Sequence, residues 1–282
     1  ESVMNKAYVE KVRHEVRQWE SERPGFLNNL TDILLFPAKK MARSLMPTGV
    51  RRAAGKAIYE LLLRLGSSTE LFVDRERIYR RVDAAYRKRG DELRAADSAA
   101  RHYWRKGIAY AAGEGGAAGA VGLIGLAADI PALLGISIRS IRQIGASYGY
   151  DMDTYGEKEH VLQVLRLGSA STFKTKMEFL AGVHEVQRVL VRLTVSSAAE
   201  RLASSQLSRL SILTALRQFA ERLGMQLTTR KALEFVPIVG AVIGGSFNAM
   251  FMNDVGQAAY MAYRRRRIVE LESPEMAALA LA

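Results

Sequence analysis

No cysteine occurs in the 282 residues, proline appears 6 times, tryptophan 2 times and histidine 4 times. Without cysteine there is no disulfide framework and no thiolate metal ligation, which fits a reducing compartment. The histidines are scattered: His14-Glu15 and His184-Glu185 both lack the second histidine of H-E-x-x-H, so no metal site and no cofactor is expected. Strand-like alternation is missing throughout. The segment Glu1 to Glu22 is charged along its length and has no apolar h-region, which predicts a cytoplasmic N-terminus without a signal peptide. Long uncharged runs are scarce as well, and that limits what can cross a bilayer.

What the sequence does hold is helical period and positive charge. Apolar residues make up 49% of the chain, enough for a well-filled core, and 41 Lys and Arg against 29 Asp and Glu leave a net charge of +12. Such a surface attracts phosphates, in lipid headgroups or nucleic acid, or serves solubility alone. Tyr8, Val12, Val16 and Trp19 predict an amphipathic helix over Lys6 to Glu20. Further helices are predicted from Val50 to Leu65, Asp74 to Arg105, Glu157 to Leu167, Lys174 to Arg192 and Ala198 to Leu223. The fold class is therefore all-α, a single multi-helix domain over 1–282. Residues 1–50 form its N-terminal amphipathic segment, and 107–282 form the main glycine-rich core.

Two segments stand apart from this background. Gly107 to Tyr150 carries no charge between Glu114 and Asp129, and Phe235 to Met252 is uncharged throughout. Glycine in a helix costs about 1 kcal/mol per site, so this density needs a use, and close helix approach supplies one. Gly115, Gly119 and Gly122 in the first segment, and Gly240 and Gly244 in the second, are the predicted packing residues. Eighteen helical residues reach only ~27 Å, and the first segment has about 14 uncharged residues between its carboxylates. Both read as buried helical core, with a dip into lipid left open. Pro131 and Pro237 are expected at helix starts.

Between Pro24-Gly25 and Met46 the order is an apolar anchor and then a basic cluster, as at a membrane interface. Phe26, Leu27, Leu30 and Leu34 would insert, and Lys39, Lys40 and Arg43 would meet headgroups. A short core helix beside a cationic turn is the competing reading.

Several motifs fail on context. Gly145-Ala146-Ser147-Tyr148-Gly149 matches the nucleophile elbow but follows a helical pattern instead of a strand. Gly113-Glu114-Gly115-Gly116-Ala117-Ala118 lacks the enclosing βαβ unit of a dinucleotide site. The calcium-loop opening at Asp151-Met152-Asp153 has Leu162 where the bidentate glutamate belongs, so Asp153 or Thr154 is expected to cap the next helix instead. Glu114 and Asp129 are the remaining catalytic candidates, being carboxylates among glycine and aliphatic residues. Pairing with Arg139 or Arg142, or capping by Asp129, would explain them structurally.

Glu114 with Gly115, Gly119 and Gly122, the block Ala128-Asp129-Ile130-Pro131-Ala132-Leu133, Tyr148-Gly149-Tyr150-Asp151, and Val236-Pro237-Ile238-Val239-Gly240-Ala241 with Asn248 together resemble the EcsC protein family. The block followed by a helix ending in Tyr-Gly is also similar to a membrane-associated helical module attached to some bacterial GTPases, although no GTPase domain is present. The resemblance implies a helical fold, membrane association and, from the gene neighbourhood that gave the family its name, an ABC transporter as a partner. It implies no chemistry. The expected function is thus a non-catalytic, membrane-associated lipid-binding or scaffold protein, peripheral at the inner face of the membrane, with an anionic membrane surface or lipid as partner. An enzyme acting on a lipid or other amphiphile through Glu114 and Asp129 is the alternative. Nucleic-acid binding through Asp74 to Arg105 and Arg264 to Arg267 is disfavoured, since Asp83, Asp91, Glu92 and Asp97 interrupt the basic residues.

Overall fold

A computed structural model describes residues 5–23, 48–64, 73–118, 126–170, 172–193, 220–221, 223–224, 227 and 247–272. Eight helices are described and no strand occurs among these residues: α1 (Lys6–Ser21), α2 (Thr48–Arg64), α3 (Arg75–Arg89), α4 (Glu92–Ala118), α5 (Leu126–Ser147), α6 (Tyr155–Gly168), α7 (Phe173–Leu193) and α8 (Phe247–Glu272). The fold is all-α, as the helical period predicts.

α8 is the axis of the molecule, packing against α4, α5, α6 and α1, while α4 also meets α5 and α3, and α6 meets α7. Its buried residues lie on more than one side, with Phe247, Phe251, Val255, Ala259 and Tyr263 along one face and Tyr260, Arg264 and Ile268 along another. A helix packed on more than one side needs apolar residues on each, and α8 has them. By contrast α1 lies on the surface and buries one stripe, Val9, Val12, Val16 and Trp19, while Tyr8, expected in that stripe, is only partly buried and turns its hydroxyl to Asp97. Asn5 caps it by accepting from the Tyr8 N–H at 3.1 Å. No helix among the described residues is long and apolar enough to cross a membrane.

The stretch Asp74 to Arg105, expected as one helix, is two. Gly90 takes φ +63°, a left-handed conformation that ends α3, and Asp91 accepts from the Arg94 N–H at 2.8 Å to start α4. The chain therefore doubles back and lays α3 on α4. Pro131 is a second correction: α5 begins at Leu126, so the proline lies inside the helix past its first turn. The cap before α6 is Thr154, which accepts from the Glu157 N–H at 3.3 Å.

Of the predicted packing glycines, Gly115 lies in α4, and Gly119, Gly122, Gly240 and Gly244 fall outside the described residues. Close approach is seen elsewhere. A Cβ built on Gly168 would stand 2.5 Å from the Val255 Cα, so α6 and α8 meet there backbone to backbone. Gly168→Ala should therefore cost about 1 to 3 kcal/mol in urea unfolding, since backbone cannot move aside as a side chain can. Gly113, exposed inside α4 with nothing within 4 Å of its Cβ position, is the control. Gly113→Ala should gain about 0.5–1 kcal/mol. Equal shifts for the two variants would show that the contact between α6 and α8 is not tight.

Candidate functional site

The sharp turn between α5 and α6 organises the surface around it. The Gly149 N–H bonds to the Ala146 carbonyl at 3.1 Å and the Tyr150 N–H to the Gly145 carbonyl at 3.4 Å, while Gly149 itself takes φ +90°. A left-handed residue at this point throws Tyr148 and Tyr150 inward from the two arms of the turn. Ser147 sits on the helix and donates back to the Gln143 carbonyl at 2.8 Å, so the elbow-like pentapeptide is a helix end and not a nucleophile turn.

Beneath the turn lies a buried polar network. Asp97 on α4, with no exposed surface, accepts from the Tyr8 hydroxyl at 2.6 Å and the Tyr148 hydroxyl at 2.7 Å, and pairs with Arg264 at 2.9 Å. One carboxylate thereby ties α1, α4, α8 and the end of α5 together. Arg264 also reaches Glu15 of α1 at 2.7 Å, and its guanidinium lies 4.6 Å from the centre of the Tyr260 ring. Burial and then Asp97 push the Tyr8 hydroxyl up to about 12 and Tyr148 well above its ordinary value, so both remain donors. For Arg264, burial is the largest influence and works against the charge, but Asp97, Tyr260, Tyr148 and Glu15 together outweigh it and raise the pKa.

A second buried cluster stands beside the first. Arg266 binds Glu157 and, at 3.0 Å, Glu270, which in turn accepts from the Tyr150 hydroxyl at 2.9 Å. Its guanidinium lies 3.8 Å from the centre of the Tyr150 ring. His160, also without exposed surface, has its Nε2 at 3.2 Å from the Gln187 side-chain nitrogen and its ring edge-on to Tyr263. The four arginines 264–267 are thus not the cationic surface element their sequence suggests. Arg264 and Arg266 are 1% and 4% exposed, and Arg265 donates to Gln187 at 2.8 Å.

Above these networks the surface opens into a groove of about 450 Å3. One wall is the flank of α3 with Tyr79, Val82 and Tyr86, the floor is Ala95 and Ala96 of α4, and the other wall is the turn Tyr148-Gly149-Tyr150. Tyr79 is 74% exposed. Arg75 and Arg267 stand at the rims, where Arg75 binds Asp151 and, at 2.6 Å, Asp153, which also pairs with Arg142 at 2.6 Å. Asp151 accepts from the Asp153 N–H at 3.0 Å and from Arg75, which hold its carboxyl below the usual range. Aromatic faces and methyl groups between fixed charges form a place for a ligand with an apolar body and a polar end, and the volume falls in the range of ligand pockets, ~300–1,000 Å3.

The residues expected to form a site are distributed differently. Asp129 is buried and accepts from the Asn248 amide at 3.5 Å, while Arg142 has gone to Asp153 and Arg139 is exposed. Asp129 does not line the groove. Glu114 lies in α4, and its side chain is outside the described residues, as is the whole stretch Phe26, Leu27, Leu30, Leu34, Lys39, Lys40 and Arg43. Among the described residues no group of acidic or imidazole side chains is placed to hold a metal ion. Asp97 and Arg264 were missed by sequence reasoning because a charged residue is normally assigned to the surface, and only their place on the apolar face of their helices signals otherwise.

The contact between Asp129 and Asn248, and the inward pair of tyrosines, join segments that the sequence resemblance singles out. The model of the EcsC protein family matches residues 10–268. The chain belongs to that family. A Bacillus subtilis (strain 168) protein, named "Uncharacterized protein YdbA", is 28% identical over 145 residues, covering 51% of this chain and 48% of its own length. This EcsC chain thus spans about half the length of the curated relative it matches. No solved structure matches it.

Proposed function

We propose that this EcsC protein is a non-catalytic lipid-binding protein working at an anionic membrane surface, with the groove beneath α3 receiving the apolar part of a lipid. The observation that carries the reading is the groove itself: tyrosine rings and alanine methyls across its width, with Arg75 and Arg267 beside Asp83, Glu92 and Asp151 at its rims. Tyrosine suits the interface between water and acyl chains because its body is apolar and its tip is wet. Attachment at the surface is the form this reading takes, given that no helix among the described residues is long and apolar enough to span. The stretch 26–46 joins the reading on its sequence alone, as an apolar anchor followed by Lys39, Lys40 and Arg43.

Native mass spectrometry of the purified protein tests it. Wild type should carry co-purifying lipid, and Tyr79→Glu with Tyr86→Glu should carry several-fold less, because both side chains are exposed and their replacement leaves the core intact. Lipid retained equally by the two proteins would exclude the groove. A wild type free of lipid that also fails to float with phosphatidylglycerol vesicles would end the membrane reading.

A further inference from the structure

On the flank of α3 opposite the groove, a second and more polar cleft of about 780 Å3 opens toward α4. Five cations line it, Arg77, Arg80, Arg81, Lys88 and Arg89, against one carboxylate, Asp74. That carboxylate is engaged, since it caps α3 by accepting from the Arg77 N–H at 2.9 Å. Arg80 has Glu76 at 3.6 Å, but Arg77, Arg81 and Lys88 have no carboxylate partner among the described residues. Spacing by four along α3 keeps Arg77 and Arg81 neighbours on one face, an arrangement that is unfavourable for the isolated helix. The far wall supplies Ser98, whose hydroxyl lies 3.4 Å from Arg89, and one turn further along α4, beyond the lining, comes His102. Arg81 also hydrogen-bonds the hydroxyl of Tyr103.

Two of these cations act on a neighbour. Burial first, and then Arg81, Lys106 and Arg77, hold the His102 imidazole below its ordinary value. Guanidinium groups match phosphate oxygens in pairs, and a cleft of this volume holds more than one phosphate, or a phosphate on a larger body.

We propose that the cleft between α3 and α4 is a binding site for a phosphate-bearing ligand carrying more than one negative charge, its oxygens held by Arg77, Arg81 and Lys88. This site is separate from the tyrosine groove and stands whether or not that groove holds lipid. A phospholipid headgroup and a soluble phosphate present the same chemistry to it, and they are separated by experiment.

His102 is the reporter. A phosphate seated among Arg77, Arg81 and Lys88 offsets the charges that disfavour the imidazolium, so the His102 pKa rises when the site fills. The full chain, with 13C-labelled histidine and the resonance assigned through His102→Gln, is titrated by NMR alone, with inorganic pyrophosphate, with dihexanoyl phosphatidic acid below its micelle concentration, and with dihexanoyl phosphatidylcholine. An upward shift with pyrophosphate assigns the cleft to soluble phosphates, and a shift with phosphatidic acid alone assigns it to a lipid headgroup. Either supports the site, provided that Arg77→Gln with Arg81→Gln weakens binding about tenfold, as loss of two charge-assisted contacts demands. Because both side chains are exposed, folding of that variant is checked by its unchanged melting curve. A His102 pKa unmoved by pyrophosphate and by phosphatidic acid, or binding that the double variant retains in full, overturns the proposal. Loss of the tyrosine groove's lipid with an intact response of His102 leaves this site standing and removes only the other.

Discussion

Replacing Arg264 by methionine should remove about 3–5 kcal/mol of folding stability, the largest loss expected from any single side chain among the described residues. The reason is the group left behind. Asp97 has no exposed surface, and without the guanidinium at 2.9 Å its hydrogen-bond partners would be the hydroxyls of Tyr8 and Tyr148, with Arg101 acting on it only through space. A buried charge deprived of its partner costs far more than the pair contributes, because the desolvation already incurred is no longer offset. Removing both charges together should therefore be milder than the sum of the parts. Asp97→Asn with Arg264→Met should lose clearly less than the two single variants added, by 1 kcal/mol or more, since residues in one network couple at about 0.5–3 kcal/mol. Urea unfolding of the four proteins measures the cycle. An Arg264→Met loss under about 1 kcal/mol, or strictly additive losses, would show that Arg264 and Asp97 are solvated independently rather than joined.

The same network explains which parts of the structure could be read in the sequence. Among the described residues, helices were legible where one face is apolar and the other polar: α1, α2, α6 and α7 fall within two residues of their predicted ends, because Val9, Val12, Val16 and Trp19 and their counterparts keep a 3.6 period, while the predicted helix Ala198 to Leu223 lies almost wholly outside the described residues. The break at Gly90 was not read, although the basic residues before the glycine and Asp91 after it form a helix stop and start signal, because charged residues continue on both sides. Arg264 and Arg266 broke the binary rule altogether. A run of four arginines reads as surface, yet alternate members turn inward because the partners Asp97 and Glu157 wait on other helices, 167 and 109 residues away. Contacts over such separations leave no local mark. Gly168 was illegible for the same reason, being a helix end in sequence and a meeting point with Val255 in space. Asp129 was correctly singled out as a buried carboxylate, but its partner Asn248, 119 residues on, could not be chosen over Arg139 or Arg142 by spacing.

Both candidate sites depend on α3 lying across α4, and neither was foreseen. The groove needs Tyr79, Val82 and Tyr86 to face the turn at Gly149, while the cleft needs Arg77, Arg81 and Lys88 on the opposite flank. Had Asp74 to Arg105 been one straight helix, those two rows would face solvent with no wall opposite them. The left-handed residue Gly90 is thus what converts an arginine-rich helix into two lined recesses.

Acid should destabilise this protein through His160, by about 3 kcal/mol at pH 4.3 relative to pH 7. The ring is fully buried, and burial first, with Arg266 beside it, holds its pKa at about 3, against an ordinary value near 6.5. The sign follows from proton counting. Between pH 6.5 and about 3 the unfolded chain binds a proton here that the folded protein refuses, so stability falls as pH falls, by about 1.4 kcal/mol per unit. Glu157, on the same helix with Arg266 against it, works the other way: burial raises its pKa above the unfolded value, so the folded state takes up its proton first as pH drops. Its opposing effect starts at the ordinary carboxylate value and extends upward, but it is common to wild type and a His160→Gln variant, so across pH 5 to 6.5 their difference belongs to the histidine. Gln187 and Tyr263, the other groups against the ring, carry no charge in that interval. Comparison with His160→Gln isolates the contribution, since glutamine keeps a polar, uncharged side chain while removing the titration. Urea unfolding at half-unit steps from pH 7.5 to 4 should give a steeper loss for wild type than for the variant, the two curves converging as pH falls. Parallel curves across pH 5 to 6.5 would mean that His160 takes up its proton as readily in the folded protein as in the unfolded one, and that the cluster of His160, Gln187 and Tyr263 opens to water at its working pH.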